Sequence, residues 1–444
     1  MPAPRRVEAT HSRVLALALP MTLSHATTPL VGFVDTATIG RLGDAVLIGG
    51  IAIGAVLFNI LFWVFGALRM ATAGLTAQDW GAGDDAAVDA TLARSLLIAA
   101  AIGTGLVVLQ WPLGRITVSL MGGGAEVTQA ALAYFGVRIW SAPFTLTNYA
   151  ILGSVIGRGR TDLGLMLQAG INLVNVALTI TLVTGLGLGI EGAAAGTVAA
   201  EAFGTATGAL VLRRLGSRPF AVASGTLMNR AAIARMLAVN RDVTIRTAAI
   251  LTAFSFFTAQ GARAGDMVLA TNAVLLQITM IASFMLDGLA TAGEQLAGQA
   301  TGSREGKAFR RANALVLGWS GAFGIGFGIL ALAGGDAFID LVTTNPEVRA
   351  SAREHLVFAA LVPALGAIAY AYDGIYIGAT WTRWMRDLML AAVAIYFIAF
   401  LALRPFGNTG LWIALLIFLA ARGIGQALAY PRLARRSFPD PDTC

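Results

Sequence analysis

The stretch LVGFVDTATIGRLG (Leu30 to Gly43) has the apolar content of a membrane-crossing helix, with Asp35 as the exception. A charged side chain at membrane depth costs about 2.5–3.5 kcal/mol on insertion scales, so this carboxylate needs a reason. Whether the segment lies in a membrane at all is decided by the rest of the chain. Of 444 residues, 57% are hydrophobic and 12% charged, and mean hydropathy is +0.74. Soluble domains carry about 25% charged residues. The chain is therefore an all-α polytopic membrane protein. At roughly 20 apolar residues per crossing, its length accommodates about twelve helices. Glycine is abundant, at 52 residues, as expected where helices pack backbone to backbone in lipid.

Outward from Asp35, apolar segments fall at about 14–39, 46–70, 92–113, 131–157, 163–184, 191–212, 243–261, 268–300, 311–333, 355–379, 385–403 and 410–430. Between them lie short loops with Gly, Pro or charge: RLGDA, WGAGDD, GRGRTD, GSREGKAFRR and RPFGNTG. Helix is the assignment that satisfies a lipid-exposed backbone. The sequence lacks the roughly 10-residue alternating strands of a membrane barrel. The opening MPAPRRVEATHSRVLALALP mimics a signal peptide, but it lacks a small-residue cleavage site and reads as a retained first helix.

The net charge of +7 and pI near 10.1 do not call for a nucleic-acid partner. Basic residues of a membrane protein gather on cytoplasmic loops. With both termini cytoplasmic, 21 of the 31 Lys and Arg fall on the cytoplasmic side and six on the other. Lipids are the expected neighbours of such a chain, and a monomer is the expected working unit. The one cysteine, Cys444, excludes a disulfide framework and a Cys-based metal site.

A repeat organises the helices. LTAQDWGAGD (75–84) aligns with LAGQATGSRE (296–305), and AAEAFG (199–204) with AARGIG (420–425), both at a shift of 221 residues. GRLGDAVL (40–47) and SAPF (141–144) have weaker counterparts in GARAGDMVL (261–269) and LVPA (361–364). Two six-helix lobes follow: 1–212 and 237–434, joined by a basic cytoplasmic linker at 213–236 and followed by a tail at 435–444. An even helix number keeps both lobes in one orientation, related by a pseudo-two-fold axis along the membrane normal.

The charged residues at membrane depth are Asp35, Arg69, Arg138, Glu201, Arg246, Asp287, Glu294, Asp373 and Arg422. Asp35 follows Pro20 and Pro29, which are expected to interrupt its helix and free backbone carbonyls. Asp287 and Glu294, seven apart, share one face of the eighth helix. Asp373 sits between Tyr370 and Tyr376. Glu201, Arg422, Arg69 and Arg138 read as buried ion pairs or interfacial residues. Asp35 and Asp373 have no opposite charge within a helical turn and read as functional acids. A carboxylate facing a poorly hydrated cavity can load and release a proton. His25 reads as a packed polar residue that titrates in a useful range. There is no Walker A sequence, H-E-x-x-H or G-x-S-x-G, so no enzyme and no cofactor is expected. Uphill transport would then draw on an ion gradient, where a unit charge falling through about 100 mV yields about 2.3 kcal/mol.

PMTLSHATTPLVGFVDTATIGRLG, RMATAGLTAQDWGAGD, LDGLATAGEQLAGQATG and YDGIYIGATWTRWMRD together resemble the multidrug and toxic compound extrusion (MATE) transporters, in particular the DNA-damage-inducible, DinF-like branch. The resemblance covers about 12–430. It implies twelve helices in two lobes around a V-shaped central cavity, and export of organic compounds against H⁺ or Na⁺. It places the N-lobe coupling site on Asp35, Asn175, Thr179 and Thr197. Family members have an Asp where this chain has Thr179, a departure that favours H⁺ over Na⁺ as coupling ion. In the C-lobe it points to Asp373, with Asp287 and Glu294 as further acids, and either lobe can hold the coupling site. Cavity-facing substrate candidates are His25, Thr36, Gln78, Tyr370 and Tyr376, and small organic molecules are the expected partners. The alternative within this architecture is a flippase for lipids or lipid-linked precursors, which would want a strongly basic cavity. A channel or scaffold would not explain the intramembrane acids.

Overall fold

The computed structural model describes residues 3–41, 43–121 and 124–439; the side chains of 28–30 and 117–121 also lie outside the description, as does Cys444. Twelve long helical segments carry the chain, and no strand occurs among the described residues. We number them α1 (His11–Gly40), α2 (Ala45–Gly81), α3 (Asp85–Val108), α4 (125–157), α5 (Thr161–Gly185) and α6 (Gly189–Arg214). The second set is α7 (Arg230–Arg263), α8 (Asp266–Gly302), α9 (Gly306–Val342), α10 (Pro346–Gly378), α11 (Thr382–Leu403) and α12 (Gly407–Ser437). Among the described residues nine stretches are long and apolar enough to cross a membrane, and the last of these, Thr382–Ser437, contains both α11 and α12.

Each apolar segment of the sequence falls mainly in one of these helices, with 92–113 running past the end of α3 into a further short helix, Gln110–Met121. The loop residues explain where several begin. Asp44 accepts from the Val46 amide at 2.8 Å and opens α2. Asp84, in the GDD that carries no catalytic motif, accepts from Ala87 at 2.9 Å and opens α3. Asn345 caps α10 by accepting from Glu347 at 2.9 Å, with Pro346 at the first turn. These side chains satisfy amides that the first turn leaves unpaired. α4 changes pitch through a 3₁₀ turn at Ile139–Ser141.

The expected interruption of α1 is not there. The helix runs unbroken from His11 to Gly40, through the positions of Pro20 and Pro29. Proline removes one donor, but neighbouring groups in a membrane helix can re-satisfy the freed carbonyls, so a proline there need not end the helix.

The chain forms two compact units: Leu23–Asp79 with Asp84–Asn240, and Arg241–Cys444 with Met1–Thr22 and Trp80–Gly83. The first has an aromatic core in which Phe58 stacks on Phe135 at 5.2 Å between centroids. In the second, Trp412 meets Phe257 at 4.8 Å and donates to Asn272 Oδ1 at 2.9 Å. Here Arg5 also lies over the Trp80 ring, 3.3 Å from its centroid.

The repeat is visible in packing. In the first unit a methyl added at Gly153 would lie 2.6 Å from the Arg69 carbonyl oxygen, and one at Gly157 2.6 Å from that of Ala73. In the second unit a methyl at Gly374 would overlap the Ala290 carbonyl, and one at Gly378 that of Glu294. All four pairs are related by the same 221-residue shift. Small residues four apart let two helix backbones touch where lipid gives no hydrophobic drive to associate.

Candidate functional site

In the N-terminal unit α1 and α5 run side by side. Thr179 Oγ1 donates to Asp35 Oδ1 at 3.0 Å, joining two of the expected residues that are 144 apart in sequence. Asn175 lies one turn earlier on α5, buried, with an Oδ1 that has no hydrogen-bond partner among the described residues. Thr197 is on α6 and returns its hydroxyl to the Ala193 carbonyl at 3.1 Å. Its neighbour Gly196 lets α6 approach the Thr179 backbone: a methyl at Gly196 would sit 3.1 Å from the Thr179 nitrogen. Asp35 is half-buried and Thr179 fully buried.

Further polar groups surround this pair. Arg138 of α4 lies within electrostatic range of both Asp35 and Glu201. It donates to Ser141 and sits over the rings of Phe58 and Phe62, at 5.1 and 5.4 Å. Glu201 accepts from Asn148 Nδ2 at 2.7 Å, and Thr205 donates to Asn148 Oδ1 at 3.0 Å. Glu201 therefore rests on an amide, not on the direct ion pair its sequence context suggests.

The C-terminal unit corrects the expectation of a solitary acid. Asp373 accepts from Arg246 of α7, from Arg422 of α12 at 2.8 Å and from Gln426 at 2.7 Å. The Asp373 and Arg422 side chains are only 4% and 2% exposed. The arginines stand 127 and 49 residues away along the chain, beyond any search within a helical turn. Asp287 is half-buried and within electrostatic range of Arg246 and Tyr370. Glu294 is buried farther along α8. The structure thus gathers Asp373, Asp287 and Tyr370 about Arg246, with the Tyr370 hydroxyl 3.0 Å from Ser283 Oγ.

The substrate candidates divide. Thr36 is exposed on α1, with its hydroxyl on the Gly32 carbonyl at 2.9 Å. His25 is half-buried near Arg69. Tyr370 is half-buried. Tyr376 is fully buried, donates to the Gln426 carbonyl at 2.7 Å and packs on Tyr372 and Trp381. Gln78 is buried too, and its Oε1 accepts from Arg235 Nη2 at 2.6 Å. Both are tied into helix packing by partners remote in sequence.

Sequence reasoning missed Gln168 and Asn172 on α5. Gln168 Nε2 donates to Asn172 Oδ1 at 3.1 Å, and Asn172 Nδ2 to Thr27 Oγ1 at 2.9 Å. The signal was available: Gln168, Asn172, Asn175 and Thr179 recur at helical spacing along one face of a membrane helix.

Comparison with known proteins follows the same plan. A family model described as MatE matches residues 20–181 and again 243–403, once in each half. The chain is 35% identical to DNA damage-inducible protein F of Escherichia coli (strain K12), covering 94% of this chain and 91% of that protein. It is 26% identical to the probable multidrug resistance protein NorM of Deinococcus radiodurans, over 95% and 96% of the two chains. Among solved structures, that titled "Crystal structure of MATE in the bent conformation" superposes with a TM-score of 0.88 at 17% identity. It covers 96% of this chain and 97% of that one. An outward-facing multidrug resistance MATE family transporter gives a TM-score of 0.83 at 18% identity over 95% and 96%. These last two are likenesses of fold.

Proposed function

Because the chain belongs to the MatE family of transporters, we propose that it is a secondary active multidrug exporter of the bacterial inner membrane. It antiports amphipathic, cationic organic compounds against H⁺ by alternating access, with both termini cytoplasmic. The observation that carries the choice of ion is the Thr179–Asp35 pair. A sodium site wants several oxygen ligands and matching negative charge. Here the position expected to bring a second carboxylate brings a hydroxyl, and that hydroxyl donates its hydrogen to Asp35. A single carboxylate with one donor suits a proton, which needs one lone pair and no coordination shell.

The C-terminal acids fit a structural part better. The charge of Asp373 is met by Arg246 and Arg422, so it needs neither a proton nor a metal ion for neutralisation. With Asp287 also within electrostatic range of Arg246, the two arginines are balanced by two carboxylates, which leaves little positive charge here for the pyrophosphate of a lipid-linked precursor and argues against the flippase alternative. The chain acts as a transporter and not an enzyme, without a cofactor, and is a monomer. The test is reconstitution in proteoliposomes with pH and Na⁺ gradients imposed separately and a fluorescent cationic dye as substrate. Dye movement that follows the pH gradient alone supports the reading, and movement that follows Na⁺ alone refutes the choice of ion.

A further inference from the structure

The α1–α5 seam carries polar groups beyond the coupling site, and they are ordered. Two hydrogen-bonded rungs join the helices: Asn172 to Thr27 at 2.9 Å, and Thr179 to Asp35 at 3.0 Å. The rungs are seven residues apart on α5 and eight on α1, a rise of about 10–12 Å on each helix. The two helices are therefore parallel and in step, and the seam between them is polar at both ends of that interval. Gln168 extends it one turn toward the start of α5 by donating to Asn172 at 3.1 Å. Thr27 in turn donates to the Ser24 carbonyl at 2.8 Å.

Between the rungs lies Asn175, 2% exposed, whose Oδ1 has no partner among the described residues. A buried amide oxygen left unpaired costs free energy, and such groups in native proteins are met by a donor, water above all. Apolar residues would fill this seam at lower cost if it served packing alone. A run of amides and hydroxyls leading away from a carboxylate is instead a surface on which a file of water can form.

We propose that the α1–α5 seam is the path by which the proton leaves Asp35 for the cytoplasm. Asn175 positions water beside the acid, Asn172 and Thr27 close the path in this conformation, and Gln168 forms its cytoplasmic mouth. The inference rests on the proton-coupled reading above and on the cytoplasmic placement of the start of α5. No covalent chemistry is involved: Asp35 gives up one proton, water carries it, and the carboxylate remains. When the Thr27–Asn172 bond is broken, water connects Asp35 to the cytoplasm; when it is formed, the path is shut.

The test uses the full chain in proteoliposomes, reading dye-driven proton flux with an internal pH indicator and dye affinity by fluorescence. Asn172→Leu plugs the seam with an isosteric apolar side chain, while Asn172→Ser keeps it polar. The expected result is a loss of flux of at least about tenfold in Asn172→Leu with dye affinity within about twofold of wild type. Asn172→Ser should retain most of the flux. A separate measurement covers a variant that fails to fold: Gln168→Cys in a Cys444→Ser background, probed with a membrane-impermeant thiol reagent. Reaction from the cytoplasmic side supports the path. Reaction from the opposite side alone, no reaction, or wild-type flux in a folded Asn172→Leu overturns it. A wild-type protein whose dye movement ignores the pH gradient would remove the parent reading, a result distinct from an indifferent Asn172→Leu in a proton-driven protein.

Discussion

Thr179 gives its hydroxyl hydrogen to Asp35 across 3.0 Å, and that one contact joins the first and fifth helices at the depth where the chain holds an otherwise costly carboxylate. The resemblance to MATE transporters sets a second acid at position 179, and a hydroxyl stands there. Restoring the acid tests what the exchange accomplishes. Thr179→Asp is expected to make dye transport responsive to an imposed Na⁺ gradient, whereas the proposed function has the parent protein follow the pH gradient alone. Transport assays with the two gradients applied in turn read this directly. Unchanged indifference to Na⁺ would mean that the second carboxylate does not set ion preference.

Asp373 is predicted to matter for stability before it matters for coupling. Asp373→Asn leaves Arg246 and Arg422 facing each other at a buried site without their shared counter-charge. Removing one member of a buried ion pair typically costs roughly 3–5 kcal/mol. The variant should melt at lower temperature in detergent and accumulate poorly. A variant of unchanged melting temperature that loses only ion coupling would return Asp373 to the role expected from sequence.

The repeat makes a paired prediction. Gly153→Ala and Gly374→Ala each drive a methyl into a facing backbone carbonyl, at sites 221 residues apart. Overpacking of this kind costs about 1–3 kcal/mol, and the two losses should be similar. Gly318→Ala on α9, where an added methyl meets nothing within 4 Å, serves as the control and should leave melting unchanged. Strongly unequal effects of the first two would show that the halves do not use the glycines in the same way.

Sequence alone carries far in a protein of this class because lipid leaves the backbone few choices. The apolar segments all became helices, and the offset linking AAEAFG to AARGIG recurs as the offset between Gly153–Arg69 and Gly374–Ala290 contacts. GSVIG and GIYIG carried that packing signal openly. The partners of buried charges were not legible. Arg246 and Arg422 reach Asp373 from helices brought near only by folding, so a residue that looks solitary along the chain is enclosed in space. The prolines of α1 misled for a related reason, since whether a proline breaks a helix depends on neighbours that the sequence does not identify. Tyr376 and Gln78 look suited to a cavity wall by residue type, yet each is held inside its unit by a hydrogen bond.

The central claim is that Asp35 carries the proton that drives export. The most direct measurement is dye-driven proton flux in proteoliposomes for wild type and Asp35→Asn, with dye binding measured on the same preparations. The account predicts that Asp35→Asn binds dye within about twofold of wild type and moves neither dye nor protons under a pH gradient. An Asp35→Asn variant that folds, binds dye and still exchanges it for protons would contradict the account.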